Sequence, residues 1–209
     1  MKPVLIAFAL LLPFGHYAQT ARHDPGYELR GNGRVVRETK QVKSFEAIEI
    51  DQFPARVVVE AGASESSVTI SIDDNLRSWL VVDDRNGTLR LAFKSPGNRP
   101  LWVSKSSIDV VIRTSTLQRF RHGSNSDVAV RGLRGESFAF VNGANGNVRL
   151  EGKVKTFDLV SNANGHIDAA GLLATTANVL TQANATIRIN ARDVNEVRNA
   201  NAEVINVAN

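Results

Sequence analysis

The amino-acid sequence predicts an all-β protein in which a strand-rich N-terminal half leads into a β-solenoid with rungs of about 20 residues. Three observations support this class. Apolar and polar residues alternate in short β-branched segments between residues 34 and 113. From about residue 117 the chain repeats a pattern anchored on asparagine. Only residues 73–77 read as helix, as an N-cap followed by one helical turn.

Residues 1–18 have the composition of a secretory signal peptide. Lys2 precedes a mostly apolar run over residues 4–14, and Ala18 and Ala21 offer two cleavage points. The run is shorter than the roughly 20 residues that a transmembrane helix needs, so we expect no membrane span. We predict export, cleavage after Ala18 or Ala21, and a mature product in the periplasm or outside the cell. Residues 19–30 are predicted to form a flexible segment.

Residues 31–116 are predicted to form strands and hairpins that lead into the solenoid. Asn86-Gly87 predicts a type I′ hairpin turn, because both central residues of that turn need positive φ. The prolines and glycine of residues 94–100 predict a loop. Trp79 and Trp102 offer a ligand platform as one reading, but we interpret them as core residues, since apolar residues lie beside them. Strands are predicted at 34–40, 45–50, 55–60, 67–72, 79–82, 88–93 and 108–113.

Residues 117–209 are predicted to form the solenoid repeats, aligned on five asparagines. Asparagine tolerates the left-handed backbone of a corner, and its amide can form hydrogen bonds along a stacked ladder. Stacked rungs lie about 4.8 Å apart, so equivalent side chains form columns. The predicted structural ladder consists of Asn125, Asn145, Asn164, Asn184 and Asn201.

Four apolar or small columns accompany these asparagines. Three residues after each one come Val128, Val148, Ile167, Ile187 and Val204. Five residues after come Val130, Leu150, Ala169, Ile189 and the polar Asn206. Seven residues after come Gly132, Gly152, Gly171, Ala191 and Ala208. Five residues before come Phe120, Phe140, Leu159 and Val179, with Val197 four before the last asparagine. We predict that the apolar columns form the core.

Composition excludes several classes of function. The sequence has no cysteine, which excludes disulfides, thiolate metal sites and a thiol nucleophile. The net charge is +4, and removing Lys2 with the signal leaves 24 basic and 21 acidic side chains. An excess this small and dispersed gives no reason to expect nucleic-acid binding.

The titratable residues give no sign of a catalytic or metal site, and we expect no cofactor. His122 and His166 lie at different positions relative to their asparagines, so we expect both to be solvent-facing corner residues. Glu151 and Asp168 likewise fall in different columns. We expect the pairs Asp73-Asp74 and Asp83-Asp84 to be solvated turn ends. Residues 142–148 superficially resemble a calcium repeat, but the period and the missing aspartates leave only a single weak cation site at Asp127 open.

Several segments resemble the auto-transporter adhesin head GIN domain family of secreted bacterial proteins. They are residues 31–36, 45–50, 74–76, 86–89, 123–128 and 142–148, and the resemblance runs from about residue 31 to the C-terminus. It implies a right-handed β-helix-like solenoid that bacteria export and that is linked to adhesion. The family offers no catalytic residues to transfer. Ala185 and Ala202 replace the corner glycine of earlier repeats, which is a departure from the family pattern.

We therefore predict an exported, non-catalytic binding or adhesion module, with a glycan-active β-helix enzyme (a polysaccharide lyase or hydrolase) as the alternative. The partner stays unidentified, with an envelope or cell-surface glycan or protein as candidates. The last repeat is short and ends without a polar helix, a proline or a charged tail, so it exposes a strand edge. The predicted self-association edge consists of Val204, Ile205, Asn206 and Val207.

Overall fold

A computed structural model of the chain describes residues 26–95 and 101–208. The predicted signal peptide, both cleavage points and residues 19–25 lie outside these ranges. No helix within the described ranges is long and apolar enough to cross a membrane.

The fold is all-β, as predicted. Its one helical element in the described ranges is a 3-10 turn at Asp74–Trp79, where a helical turn was expected. The strands are β1 (Tyr27–Arg30), β2 (Val35–Gln41), β3 (Ala47–Asp51), β4 (Arg56–Ala61), β5 (Ser67–Asp73), β6 (Leu80–Asp83), β7 (Thr88–Phe93), β8 (Leu101–Ser104), β9 (Asp109–Thr114), β10 (Arg119–Gly123), β11 (Val128–Asn142), β12 (Asn147–Ser161), β13 (Gly165–Thr181), β14 (Ala185–Arg198) and β15 (Glu203–Asn206).

The seven strands predicted in the N-terminal half all form, each within two residues of its predicted start. Their β-branched alternation places one face in the core, as in β4, where Val57 and Val59 are fully buried. Asn86 and Gly87 have φ of 54° and 69°, and the N–H of Thr88 donates to the carbonyl of Arg85 at 3.0 Å. This is the predicted type I′ turn, and it joins the antiparallel strands β6 and β7.

Thirteen of the strands form one curled, open sheet with two walls. The first wall runs from β6 through β7, β3 and β10 to the C-terminal halves of β11, β12, β13 and β14. The second wall runs from β2 through β5, β9 and β4 to the N-terminal halves of the same long strands and then to β15. Side chains of both walls pack into one hydrophobic core. The N-terminal strands therefore extend the sheet that the repeats build.

The long strands pair in parallel at the spacing of the asparagine repeat. Val128 lies opposite Val148, which continues to Ile167, Ile187 and Val204. Phe120 lies opposite Phe140, which continues to Leu159 and Val179. N-terminal residues extend both columns, since Val57 pairs with Val128 and Ile48 with Phe120. These columns form much of the core.

Two predicted columns are wrong in detail. Gly152 lies opposite Leu133 instead of Gly132, and Gly171 lies opposite Glu151, because the register shifts between neighbouring long strands at the corners. Val197 pairs with Leu180 on the outer face and is 57% exposed, while Glu196 takes the place opposite Val179.

The N-terminal segment differs from the prediction of a flexible stretch over residues 19–30. Tyr27–Arg30 forms β1, which pairs in parallel with β8 as a separate two-stranded sheet. Leu29 is buried, and the ring of Tyr27 lies 5.3 Å from that of Trp79. Packing against a distant part of the chain orders this strand, which four residues of local pattern did not predict.

Asp73 is also not the solvated turn residue that we expected. It is 1% exposed. Its carboxylate accepts hydrogen bonds from the N–H of Gly33, at 2.5 Å, and from the hydroxyl of Ser106. These bonds join the loop before β2 to the loop before β9, which explains why a carboxylate is retained here.

Candidate functional site

The five asparagines of the predicted ladder are exposed at the corners where the first wall passes into the second. Asn125 Oδ1 accepts a hydrogen bond from the N–H of Asn145 at 3.0 Å. Asn164 Oδ1 accepts one from the N–H of Asn184 at 3.1 Å. These bonds run from side chain to backbone between neighbouring corners, so the side-chain oxygens carry the ladder at these two steps.

A buried polar column that the sequence analysis missed lies three residues before these asparagines. Its members are fully buried and in register on adjacent strands: His122, Asn142, Ser161 and Thr181. His122 was expected to face solvent, and that prediction is wrong. Its Nδ1 lies 3.0 Å from Asn142 Oδ1 and its Nε2 lies 3.0 Å from Ser126 Oγ. The sequence did contain a signal for this column, because a polar residue occurs three positions before the asparagine in four repeats.

Burial lowers the pKa of His122, although the hydrogen bond that its ring donates to Asn142 Oδ1 and the charge of Asp127 act in the opposite direction. The unfolded chain binds a proton at this ring below about pH 6.5, whereas the folded chain binds it only at lower pH. The free energy of unfolding should therefore rise with pH through the window just below 6.5 and level off above it.

The His122→Asn variant should lose this pH dependence, because an amide does not titrate there. His166→Asn is the control, since it removes a half-buried histidine from the outer face. Urea denaturation between pH 5 and 8 measures the slope, and an unchanged slope in His122→Asn would contradict the assignment.

The outer face of the second wall carries charged side chains that pair with one another, both across neighbouring strands and within one strand. Arg56 Nη2 lies 2.7 Å from Asp109 Oδ1, and Arg113 Nε lies 2.7 Å from Glu60 Oε2. Arg149 Nε lies 2.8 Å from Glu151 Oε1. A shallow groove of about 440 Å³ crosses this face beside His166 and Asp168. Such exposed pairs contribute little stability, and none places two carboxylates together.

Glu151 and Asp168 lie in different columns, as predicted, because Asp168 is opposite Arg149 and Glu151 is opposite Gly171. Within residues 26–95 and 101–208, no group of three or more His, Asp or Glu side chains is placed to hold a metal ion. Glu151 and Asp168 are therefore not placed directly opposite each other on the paired strands β12 and β13.

The outer face of the first wall carries a side-chain amide ladder beside an aliphatic column. Asn178 Nδ2 donates to Asp158 Oδ1 at 2.7 Å, and Asn195 Nδ2 donates to Asn178 Oδ1 at 2.9 Å. This ladder lies six residues before the predicted asparagines, on the strands instead of at the corners. The aliphatic column consists of Val141, Val160, Leu180 and Val197.

The predicted self-association residues lie at one end of the sheet. β15 pairs with β14, and no second strand pairs with it in the described part of the chain. Val204 is half-buried, whereas Ile205 is 39% exposed. Asn206 turns its amide back onto Ala191, accepting from the N–H at 3.1 Å and donating to the carbonyl at 2.8 Å. Val207 donates its N–H to the carbonyl of Ile189 at 2.8 Å.

The two tryptophans differ from each other. Trp79 is half-buried against the core, as expected, but Trp102 is 43% exposed, and its assignment to the core is wrong. β8 holds Leu101 and Val103 against the core, and the alternation of the strand turns Trp102 outward. Trp102 lines a groove of about 360 Å³ together with the corners near Asn125.

These features define an all-β protein built on one curled, open sheet. The model of the family described as "Putative auto-transporter adhesin, head GIN domain" matches residues 44–202. The chain belongs to this family, as the sequence resemblance indicated.

Two solved structures share the fold at low identity. One is titled a "putative adhesin" from Bacteroides fragilis NCTC 9343; it is 15% identical with a TM-score of 0.62, and the match covers 86% of this chain and all of that one. The other is titled a "Putative lipid binding protein" from Parabacteroides distasonis ATCC 8503; it is 12% identical with a TM-score of 0.53, and the match covers 87% of this chain and 98% of that one. Among curated protein sequences, none matches this chain.

Proposed function

We propose that this protein is an exported, non-catalytic bacterial binding module of the adhesion type. Its organisation would be a signal peptide over residues 1–18, a strand and hairpin region over residues 31–116, and a right-handed β-helix-like solenoid over residues 117–209. Family membership supports a surface or exported role. The offset of 19 or 20 residues between paired residues of β11 and β12 supports the solenoid, because a coil that adds one strand per turn pairs its strands in parallel at the repeat length.

The observation that carries the proposal is the unprotected edge at β15. Edge strands in natural proteins are usually shielded by charge, and β2 at the other end of the second wall carries Arg37, Glu38 and Lys40. β15 carries Glu203 alone and exposes Ile205. The free half of β14 is charged as well, since Arg198 pairs with Glu196. Association therefore fits β15 best, either with a second copy or with a strand of a surface partner.

Replacing Ile205 with lysine should abolish self-association, because an edge lysine opposes strand addition. We expect light scattering of the wild-type protein to give a mass that rises with concentration and that of Ile205→Lys to stay at the monomer mass. Val35→Lys is the control, since Val35 is 59% exposed on the edge strand β2. A wild-type protein that remains monomeric at high concentration would refute the β15 interface.

A further inference from the structure

The groove beside Trp102 has the chemistry of a sugar-binding site. It lies between the small β1–β8 sheet and the corners of the large sheet. We propose that it binds a neutral saccharide, with one sugar ring stacked on the Trp102 indole. This inference rests on the proposed role as a binding module but does not depend on association through β15.

Trp102 supplies the stacking surface. An exposed tryptophan offers a large, rigid face with negative potential, which attracts the polarised C–H groups of a pyranose ring. At 43% exposure the indole keeps much of this face open while β8 fixes its backbone. The groove volume of about 360 Å³ lies near the lower end of the roughly 300–1,000 Å³ typical of ligand pockets.

Two side-chain amide groups also line the groove. Gln52 lies in the loop between β3 and β4, and Asn125 in the loop between β10 and β11. Asn125 Oδ1 is used by the N–H of Asn145, which leaves its Nδ2 as a donor with no partner among the described residues. An amide can donate and accept, which suits the hydroxyls of a sugar. Gly123 and Gly143 also line the groove and contribute no side chain to it.

Gln52 gives an independent sign of function. Its φ is 47°, a left-handed conformation that a residue with a side chain rarely adopts. The strain is held in place by Phe53, which is fully buried and whose N–H donates to Ser124 Oγ at 2.9 Å. Gln52 itself is exposed, so packing does not explain its presence. Such strain concentrates at binding and catalytic positions.

The absence of charge in the groove selects the class of saccharide. Every lining residue among those that the structure describes is uncharged. An acidic polysaccharide would lose hydration there without gaining a cationic partner. On the charged face of the second wall, by contrast, Arg56 and Arg113 are already paired with carboxylates. A neutral saccharide is therefore the occupant that the groove fits.

Tryptophan fluorescence tests the proposal directly, because the chain has two tryptophans. In Trp79→Phe, Trp102 is the sole reporter. We expect at least one probe among cellotetraose, maltotetraose, mannotetraose and N-acetylchitotriose to shift its emission saturably, and trigalacturonate to leave it unchanged. In calorimetry, Trp102→Ala should weaken the binding of that probe by roughly tenfold or more, as for other aromatic anchors.

Gln52→Gly separates a binding role from a structural one. Glycine adopts positive φ without strain, so the midpoint of thermal unfolding should stay equal or rise while affinity falls. Asn86→Gly is the matched control, since it places glycine at a positive φ in a turn outside the groove and should leave affinity unchanged. The proposal is overturned if none of the neutral probes binds, if trigalacturonate binds as well as they do, or if Trp102→Ala or Gln52→Gly retains full affinity.

The outcome is separable from that of the β15 experiment. Ile205→Lys should bind the saccharide as the wild type does, since Ile205 does not line the groove. A monomeric wild-type protein that still binds a neutral probe would refute association while supporting this site. A self-associating protein that binds no neutral probe would support association while refuting this site.

Discussion

Gly152→Ala should destabilise the protein by about 4 kcal/mol, at the upper end of what single substitutions cause. Gly152 has a φ of 144°, and a Cβ at this position would lie 2.2 Å from the carbonyl oxygen of Leu133. The obstacle is backbone of the paired strand, so it moves only if β11 and β12 separate locally. Urea denaturation followed by far-UV circular dichroism measures the loss.

Gly135→Ala is a close control for this prediction. Gly135 has a φ of 137°, nearly that of Gly152, but nothing lies within 4 Å of a Cβ built there. The free energy of unfolding of this variant should fall by only about 1–3 kcal/mol, because alanine is unfavourable in this backbone conformation but meets no other atoms. Equal losses in the two variants would mean that the close approach of β11 and β12 at this corner is not present in solution.

Phe140→Ala should cost about 3–5 kcal/mol of unfolding free energy, as expected for a large side chain removed from a core. Phe140 is fully buried. Its ring packs edge-to-face on Phe120 at 5.4 Å and lies 6.3 Å from Phe138. The loss would open a cavity where the column from Phe120 to Leu159 passes through the first wall.

Two further variants test whether the loss of stability comes from the volume removed from the core. Phe140→Leu should cost less than Phe140→Ala because it retains most of the buried volume. Val197→Ala should change stability by no more than about 0.5 kcal/mol, since Val197 lies on the outer face. A loss in Phe140→Ala as small as that in Val197→Ala would contradict the placement of this column in the core.

Local pattern was sufficient to predict the strands of the N-terminal half. Each has β-branched residues in period two and is bounded by turn residues, and Asn86-Gly87 specifies its turn through positive φ alone. The repeat likewise predicted the pairing from Val128 to Val204 and from Phe120 to Val179, because parallel strands at one repeat length place equivalent residues opposite each other. Strand β1 was not predictable in this way, since its order depends on β8, more than 70 residues away.

The candidate site was less predictable than the fold. Trp102 and Leu101 are adjacent and both favour burial by composition, yet only one can face the core in a strand. The face that Trp102 takes depends on which side of β8 meets the rest of the protein. The prediction for His122 was wrong in the opposite direction. Its position near a corner suggested exposure to solvent, but its ring lies in the buried polar column.

The sequence by itself determined the all-β class, the position of most strands, the parallel offset of the repeats and the family. These properties follow from backbone preferences and periodicity, which act over a few residues or one repeat. Only the tertiary structure decided that the N-terminal strands extend both walls, that His122 and Asp73 are buried, and that Gln52, Asn125 and Trp102 line one groove. Those outcomes depend on how the sheet curls and which loops meet at its corners, and such contacts between distant residues leave no periodic signal in the chain.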